Sequence, residues 1–156
     1  AYVASQIGVP IATGERLHDI HEFQALLRRD AVQYIRPDVC LSGGITHTKK
    51  IAAIAEANYV GVVPHNPLGP ISTAACLQIA ASIPNFSIQE YPIGETEPPK
   101  NLMVKNPIKC EDGFLIIPDG PGLGIEVPDD IQDRVPGIPH GEVNARSHRD
   151  GAVIDQ

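Results

Sequence analysis

Four short apolar runs in this sequence each end in one ionisable residue: "VPIATGE" in Glu15, "VQYIRPD" in Asp38, "YVGVVPH" in His65 and "NFSIQE" in Glu90. The intervals are 23, 27 and 25 residues. An Asp beside a His holds the imidazole in one tautomer and strengthens it as a base. Two further carboxylates could supply a metal ligand and a hydrogen-bonding acid. Such a set suits removal of a proton from the carbon next to a carboxylate. The barrier there is the developing dianionic enediolate, which a metal and a neutral acid stabilise while the base takes the proton.

Taken singly, each residue has a plainer role. Glu15 could cap a helix, Asp38 could form the turn after Pro37, and His65 could be a satisfied structural histidine. Glu90 would be costly to bury unless paired or protonated. The series is what points to chemistry, and the elements between its members explain why. Strands are expected at 9–15, 32–38, 59–65 and 85–90. Helices are expected at 19–30, 45–58 and 71–83, the first with Asp19 as N-cap and with Ile20, Phe23, Leu26 and Leu27 at helical spacing. That rhythm means right-handed βαβ units and a parallel sheet. Adjacent parallel strands bring their carboxyl ends to one mouth, where βα-barrel enzymes build active sites. In "VVPHNPLGP" the prolines also remove backbone donors, so the chain must leave the sheet where His65 appears.

Beyond Glu90 the pattern breaks. "YPIGETEPPKNLMVKNP" reads as an excursion without a helix, and 108–127 as a hairpin turning at Asp112-Gly113. From Pro128 the chain is polar and rich in proline, a tail suited to lying over another surface.

With 42% hydrophobic and 20% charged residues, the 156-residue chain has the composition of a soluble globular domain. A net charge of -7 with scattered basic residues excludes a nucleic-acid surface, and no apolar run could span a bilayer. Cys40, Cys76 and Cys110 form no CxxC or zinc pattern and read as reduced, buried thiols of a cytoplasmic protein. The sequon at Asn85 is read as chance. His18 and His21, three apart around the start of the first expected helix, and His47 in the second are assigned to solvated surface. "GPGLG" follows no strand and opens no helix, so a dinucleotide site is excluded.

The segments "IATGERL", "YIRPDVCLSGGIT", "PHNPLGPISTAACLQIA" and "IQE" resemble the C-terminal half of the mandelate racemase branch of the enolase superfamily. The likeness is nearest to its galactonate-type acid-sugar dehydratases and covers roughly residues 3 to 127. It implies an α/β fold, with these segments as strands five to eight of a (β/α)7β TIM-like barrel. Residues 1–107 would form the partial barrel of about four βα units. Residues 108–156 would form a hairpin and an irregular tail that packs on an N-terminal capping domain. Glu15 would be the third Mg²⁺ ligand, His65 the base for the C2 proton, Asp38 its dyad partner and Glu90 the acid that stabilises the enediolate. Loss of the 3-hydroxyl would then give a 2-keto-3-deoxy acid. A His base working with Mg²⁺ is an established pattern of this superfamily.

A barrel of this kind needs ~250 residues. The first four strands, two metal ligands and the acid for the leaving hydroxyl would fall outside these 156 residues. Glu15 alone cannot hold Mg²⁺, so the chain by itself is expected to be inactive, with unpaired sheet edges that call for a partner chain. The intact enzyme is expected to be a homo-oligomer acting on a small sugar acid, without nucleic-acid or membrane partners. Asn66 stands where the galactonate-type enzymes more often carry another residue after the histidine, which leaves the sugar open. The alternatives are a racemase or epimerase of the same branch and a non-catalytic fragment. A phosphate-binding barrel ranks below these, because Pro67 and Pro70 remove two backbone donors.

Overall fold

The computed structural model describes residues 1–135; most of the expected tail, 136–156, lies outside the described residues. Its first part is a run of βα units: β1 (Ala12–Thr13), α1 (Ile20–Leu27), β2 (Tyr34–Ile35), α2 (Gly44–Glu56), β3 (Gly61–Val62) and α3 (Pro70–Ser82). The strands pair parallel in the order β1-β2-β3, with Ala12 opposite Tyr34 and Tyr34 opposite Gly61.

Local sequence fixes where the helices begin. Asp19 caps α1, its Oδ1 accepting the N–H groups of His21 and Glu22 at 2.8 and 2.9 Å, while Glu22 accepts the Asp19 N–H. This capping box puts His18 outside the helix, so His18 and His21 do not share a helical face. Pro70 opens α3, where its missing N–H costs nothing.

The period-two alternation of the strands divides the sheet. Ile35 and Val62 face the helices and pack with Phe23, Leu27, Ile51, Ala52 and Ala55 in the main core. Tyr34 and Gly61 face the opposite, inner side. A Cβ on Gly61 would lie 2.5 Å from Ser87 Oγ and 2.8 Å from the Tyr34 ring, so only glycine fits there. Helix α3 is apolar on every side because it is covered twice. Cys76 and Ile79 pack with Val39, while Ala74 and Leu77 meet Ile108 from the later segment.

The fourth expected strand, 85–90, forms only one bridge, between Val62 and Phe86. Val62 N–H donates to Asn85 O at 2.8 Å and Ser87 N–H to Val62 O at 2.9 Å. The next rung would need an N–H from residue 64, which is proline, so the ladder stops. The hairpin pairs β4 (Cys110–Glu111) antiparallel to β5 (Phe114–Leu115). Its turn has φ 50° at Asp112 and 83° at Gly113, the left-handed pair that an Asp-Gly turn favours. A short helix, α4 (Ile131–Arg134), ends the described chain.

The cysteine reading needs correction. Only Cys76 is buried, its thiol pushed up to about 12 chiefly by burial; Cys40 sits in the exposed turn after β2 and Cys110 on the exposed hairpin. No helix among the described residues is long and apolar enough to cross a membrane.

Candidate active site

Asp38 and His65 meet just past the ends of β2 and β3, where a parallel bridge continues the pairing and His65 N–H donates to Pro37 O at 3.1 Å. His65 Nδ1 lies 3.0 Å from Asp38 Oδ2. Asp38 is 1% exposed, and its other oxygen is occupied. Oδ1 accepts Cys40 N–H at 2.8 Å and Leu41 N–H at 3.2 Å. Its main-chain carbonyl takes the Ser42 hydroxyl at 2.7 Å, and Ser42 Oγ in turn lies 2.9 Å from Thr48 Oγ1. The "LSGGIT" segment therefore works as a cradle that immobilises the carboxylate against the imidazole. With Oδ2 as acceptor, Nδ1 carries a proton, and in the neutral ring the lone pair then lies on Nε2.

Glu90 lies at the end of the next segment. Its Oε2 accepts Asn66 N–H at 2.9 Å and pairs with Arg36 Nη2 at 2.6 Å. Burial pushes its pKa up, but the Asn66 N–H and the Arg36 guanidinium outweigh that and hold the carboxyl below the usual carboxylate range. Arg36 and Asn66 carry this geometry; the sequence reading passed over Arg36 and took Asn66 only as bearing on the identity of the sugar. A signal was present: Tyr34, Arg36 and Asp38 alternate onto one face of β2 and its extension. Replacing Arg36 with Gln should raise the Glu90 titration midpoint, read by ¹³C carboxyl NMR. The folded value lies below the unfolded one, so ionised Glu90 adds stability above the unfolded pKa that is lost as pH falls through the folded pKa. That loss should be smaller in the Arg36→Gln protein; an unmoved midpoint would disprove the coupling.

Glu15 follows β1, and Gly14 makes its position possible. Gly14 has φ 126°, and a Cβ there would lie 2.8 Å from the Phe23 ring. Glu15 Oε2 accepts Gly14 N–H at 3.1 Å. The side chain shares an open cleft of about 670 Å³ with Arg16, His18, Leu41 and His65. His18, assigned to surface from sequence, thus borders the mouth. An apolar cleft of about 510 Å³ between α3 and the hairpin, lined by Leu77, Phe86 and Phe114 among others, holds none of the four candidate groups. Among the described residues no three His, Cys, Asp or Glu side chains are placed to hold a metal ion. A cleft-facing carboxylate is the hard oxygen donor that Mg²⁺ selects, yet it supplies one ligand of the six the ion needs.

A parallel βα sheet with an ionisable group past each strand's carboxyl end is the arrangement on which βα-barrel enzymes build their active sites. The chain belongs to the enolase C-terminal domain-like family, which matches residues 1–131. It is 36% identical to D-galactonate dehydratase of Xanthomonas oryzae pv. oryzae (strain PXO99A) over 98% of its own length and 42% of that protein's. The chain therefore spans about two fifths of the curated relatives it matches. It is also similar to the crystal structure of an enolase-superfamily member from Salmonella Typhimurium. There the TM-score is 0.81 and the identity 33%, over 84% of this chain and 33% of that one. An enolase from Agrobacterium radiobacter, crystallised with Na and L-malate in an ordered active site, gives a TM-score of 0.83 at 33% identity. That match covers 97% of this chain and 42% of the other. The region is thus a TIM-barrel-like C-terminal domain of the enolase superfamily.

Proposed function

We propose that the protein carrying this chain dehydrates a sugar acid of the galactonate class, using His65 as base toward the C2 proton. The observation that carries the reading is the 3.0 Å contact between His65 and the wholly occupied Asp38. It leaves Nε2 as the ring nitrogen not engaged by Asp38, beside the cleft of a fold whose relatives include D-galactonate dehydratases. The C2–H bond breaks as its proton passes to Nε2, and the electron pair enters the carboxylate as an enediolate. The C3–O bond then breaks as the hydroxyl takes a proton from an acid supplied from outside these residues and leaves as water, and the resulting enol tautomerises to a 2-keto-3-deoxy acid.

Glu15 would hold Mg²⁺ together with ligands from outside this chain, and the bound ion would offset the enediolate charge. Glu90 would serve as the hydrogen-bonding acid in its protonated form. Arg36 opposes that form in the free protein. An arriving substrate carboxylate works the other way, competing for the guanidinium and disfavouring the Glu90 anion beside it. Residues 108–156 are assigned to contact with a capping domain.

The test is an assay of the full-length protein with Mg²⁺ and a panel of aldonates and aldarates. Formation of a 2-keto-3-deoxy acid, lost on chelation, is the expected result. Epimerisation at C2 without loss of water would replace this reading. The 156-residue chain alone should give no product, because it brings a single metal ligand; turnover by it would overturn the assignment of Glu15.

A further inference from the structure

Glu95 lies in "GETEPPK", within the stretch that reads from sequence as an open excursion. In the structure it is 3% exposed. Its Oε2 is 2.7 Å from Thr73 Oγ1, and Oε1 is buried with no partner among the described residues. Among those residues no cation is in ion-pair contact with it; Lys100, the nearest influence, donates its ammonium to Ile93 O. Thr73 is itself fully buried in the first turn of α3, and its Oγ1 accepts from Asn66 Nδ2 at 2.7 Å. Asn66 donates twice to Glu90, from Nδ2 to the main-chain oxygen at 3.3 Å and from its backbone N–H to the carboxylate at 2.9 Å. An unbroken chain of hydrogen bonds, buried from Glu95 to Asn66 and part-buried from there on, thus runs to Glu90 and to the residue next to His65.

We propose that Glu95 is a positioning residue: acting through Thr73 and Asn66, it fixes the His65–Asn66 peptide and the Glu90 carboxylate at the mouth. The inference rests on the dyad reading above. It needs no substrate contact with Glu95, which works from behind the site.

Counting protons shows how the chain closes. Asn66 Nδ2 is only a donor and Gly69 O only an acceptor, and Gly69 O lies 3.1 Å from the single Thr73 hydroxyl. If Glu95 is the neutral acid, it donates to Thr73 Oγ1, Thr73 donates to Gly69 O, and every link is satisfied. If Glu95 is ionised, Thr73 turns its proton to the carboxylate, Gly69 O keeps only the Thr73 N–H at 2.9 Å, and the cost falls on a buried anion with one bare oxygen. Burial pushes the Glu95 carboxyl up, and Thr73 and Lys100 only partly offset it. Lys100 and Tyr91 on its own segment bear on it, with Cys110 behind Tyr91. Beyond Asn66 stand Glu90, Arg36 and His65. Helix α3 contributes no charged residue.

The test uses the full-length protein with Glu95→Gln, Glu95→Ala and Thr73→Val. The first readout is the Glu90 midpoint by ¹³C NMR, which needs no substrate. Glu95→Ala and Thr73→Val should raise it by releasing the Asn66 N–H, and Glu95→Gln should leave it unchanged. The second is Tm against pH. A carboxyl whose folded pKa is raised gives stability that is complete below the unfolded pKa and is lost as pH rises through the folded one. The amide has no proton to lose. The Tm of Glu95→Gln should therefore gain on the wild type across that window and run parallel above it. In exchange assays Glu95→Ala and Thr73→Val should lose about tenfold or more in kcat with little change in KM, the signature of misplacement. Glu95→Gln should stay within about threefold of the wild type. A Gln variant as damaged as Ala, a Tm gap independent of pH, or an unmoved Glu90 midpoint in both Glu95→Ala and Thr73→Val would overturn the proposal. A wild type without exchange would sink the proposed function, while the midpoint and Tm series would still decide the role of Glu95.

Discussion

Full-length protein carrying His65→Asn is expected to lose exchange of the substrate C2 proton with solvent deuterium by about 10³-fold or more. The Nε2 lone pair is the base in the proposed reaction, and an amide nitrogen has no basic lone pair to replace it. The fold should survive the change. The His65 N–H bond to Pro37 O belongs to the main chain. The new amide N–H can donate to Asp38 Oδ2 from near the position of Nδ1, so the buried carboxylate keeps a partner. Loss of exchange should therefore come with a nearly unchanged Tm and with substrate binding still measurable by calorimetry. Exchange at the wild-type rate in a folded variant would remove His65 as the base.

The positions of these groups were legible in the sequence because they follow from two periodicities. The βα interval sets one ionisable residue per strand end, and the two-residue alternation sets which face it takes. Asp38 and His65 could be placed on neighbouring strands for that reason, and the bridge between them has this register. Strand length was less legible. The run 85–90 has strand-like residues, but its pairing depends on the donor that Pro64 lacks, 21 or more residues earlier. The Arg36–Glu90 pair spans 54 residues, and no local pattern announces such a contact. Glu95 was the hardest to see. A Pro-rich, acidic stretch reads as solvated, and only the packing of this segment over the N-terminal turn of α3 buries the carboxyl beside Thr73. His18 is exposed, as the sequence suggested, but it is not on the helix: the Asp19–Glu22 capping box starts α1 at Ile20, two residues after it.

Asp38→Asn is expected to do nearly as much damage as loss of the base, and by a different route. Asp38 serves three donors with two oxygens: Cys40 and Leu41 N–H on Oδ1, and His65 Nδ1 on Oδ2. Asn can place an oxygen on only one side. The two backbone N–H groups are fixed by the turn after Pro37 and require an acceptor, so the amide oxygen must take the Oδ1 position. Its NH₂ then points at His65 Nδ1 and makes that nitrogen an acceptor. The ring proton moves to Nε2, the atom proposed to receive the C2 proton. A substitution that keeps geometry but enforces the wrong tautomer has cost about 10⁴-fold in a Ser-His-Asp enzyme. A kcat loss of about 10³- to 10⁴-fold with KM nearly unchanged is expected here. ¹⁵N NMR of the histidines reads the cause directly: the wild type should show His65 protonated on Nδ1, and Asp38→Asn should show it on Nε2. Full activity, or an Nδ1–H tautomer in the variant, would mean that Asp38 anchors the turn without directing the imidazole. Asp38→Ala separates the two effects further. It strands two backbone donors and should lower Tm more than Asn does, yet it leaves the imidazole free to adopt either tautomer. The Ala protein should therefore be the less stable of the two and, per folded molecule, the more active.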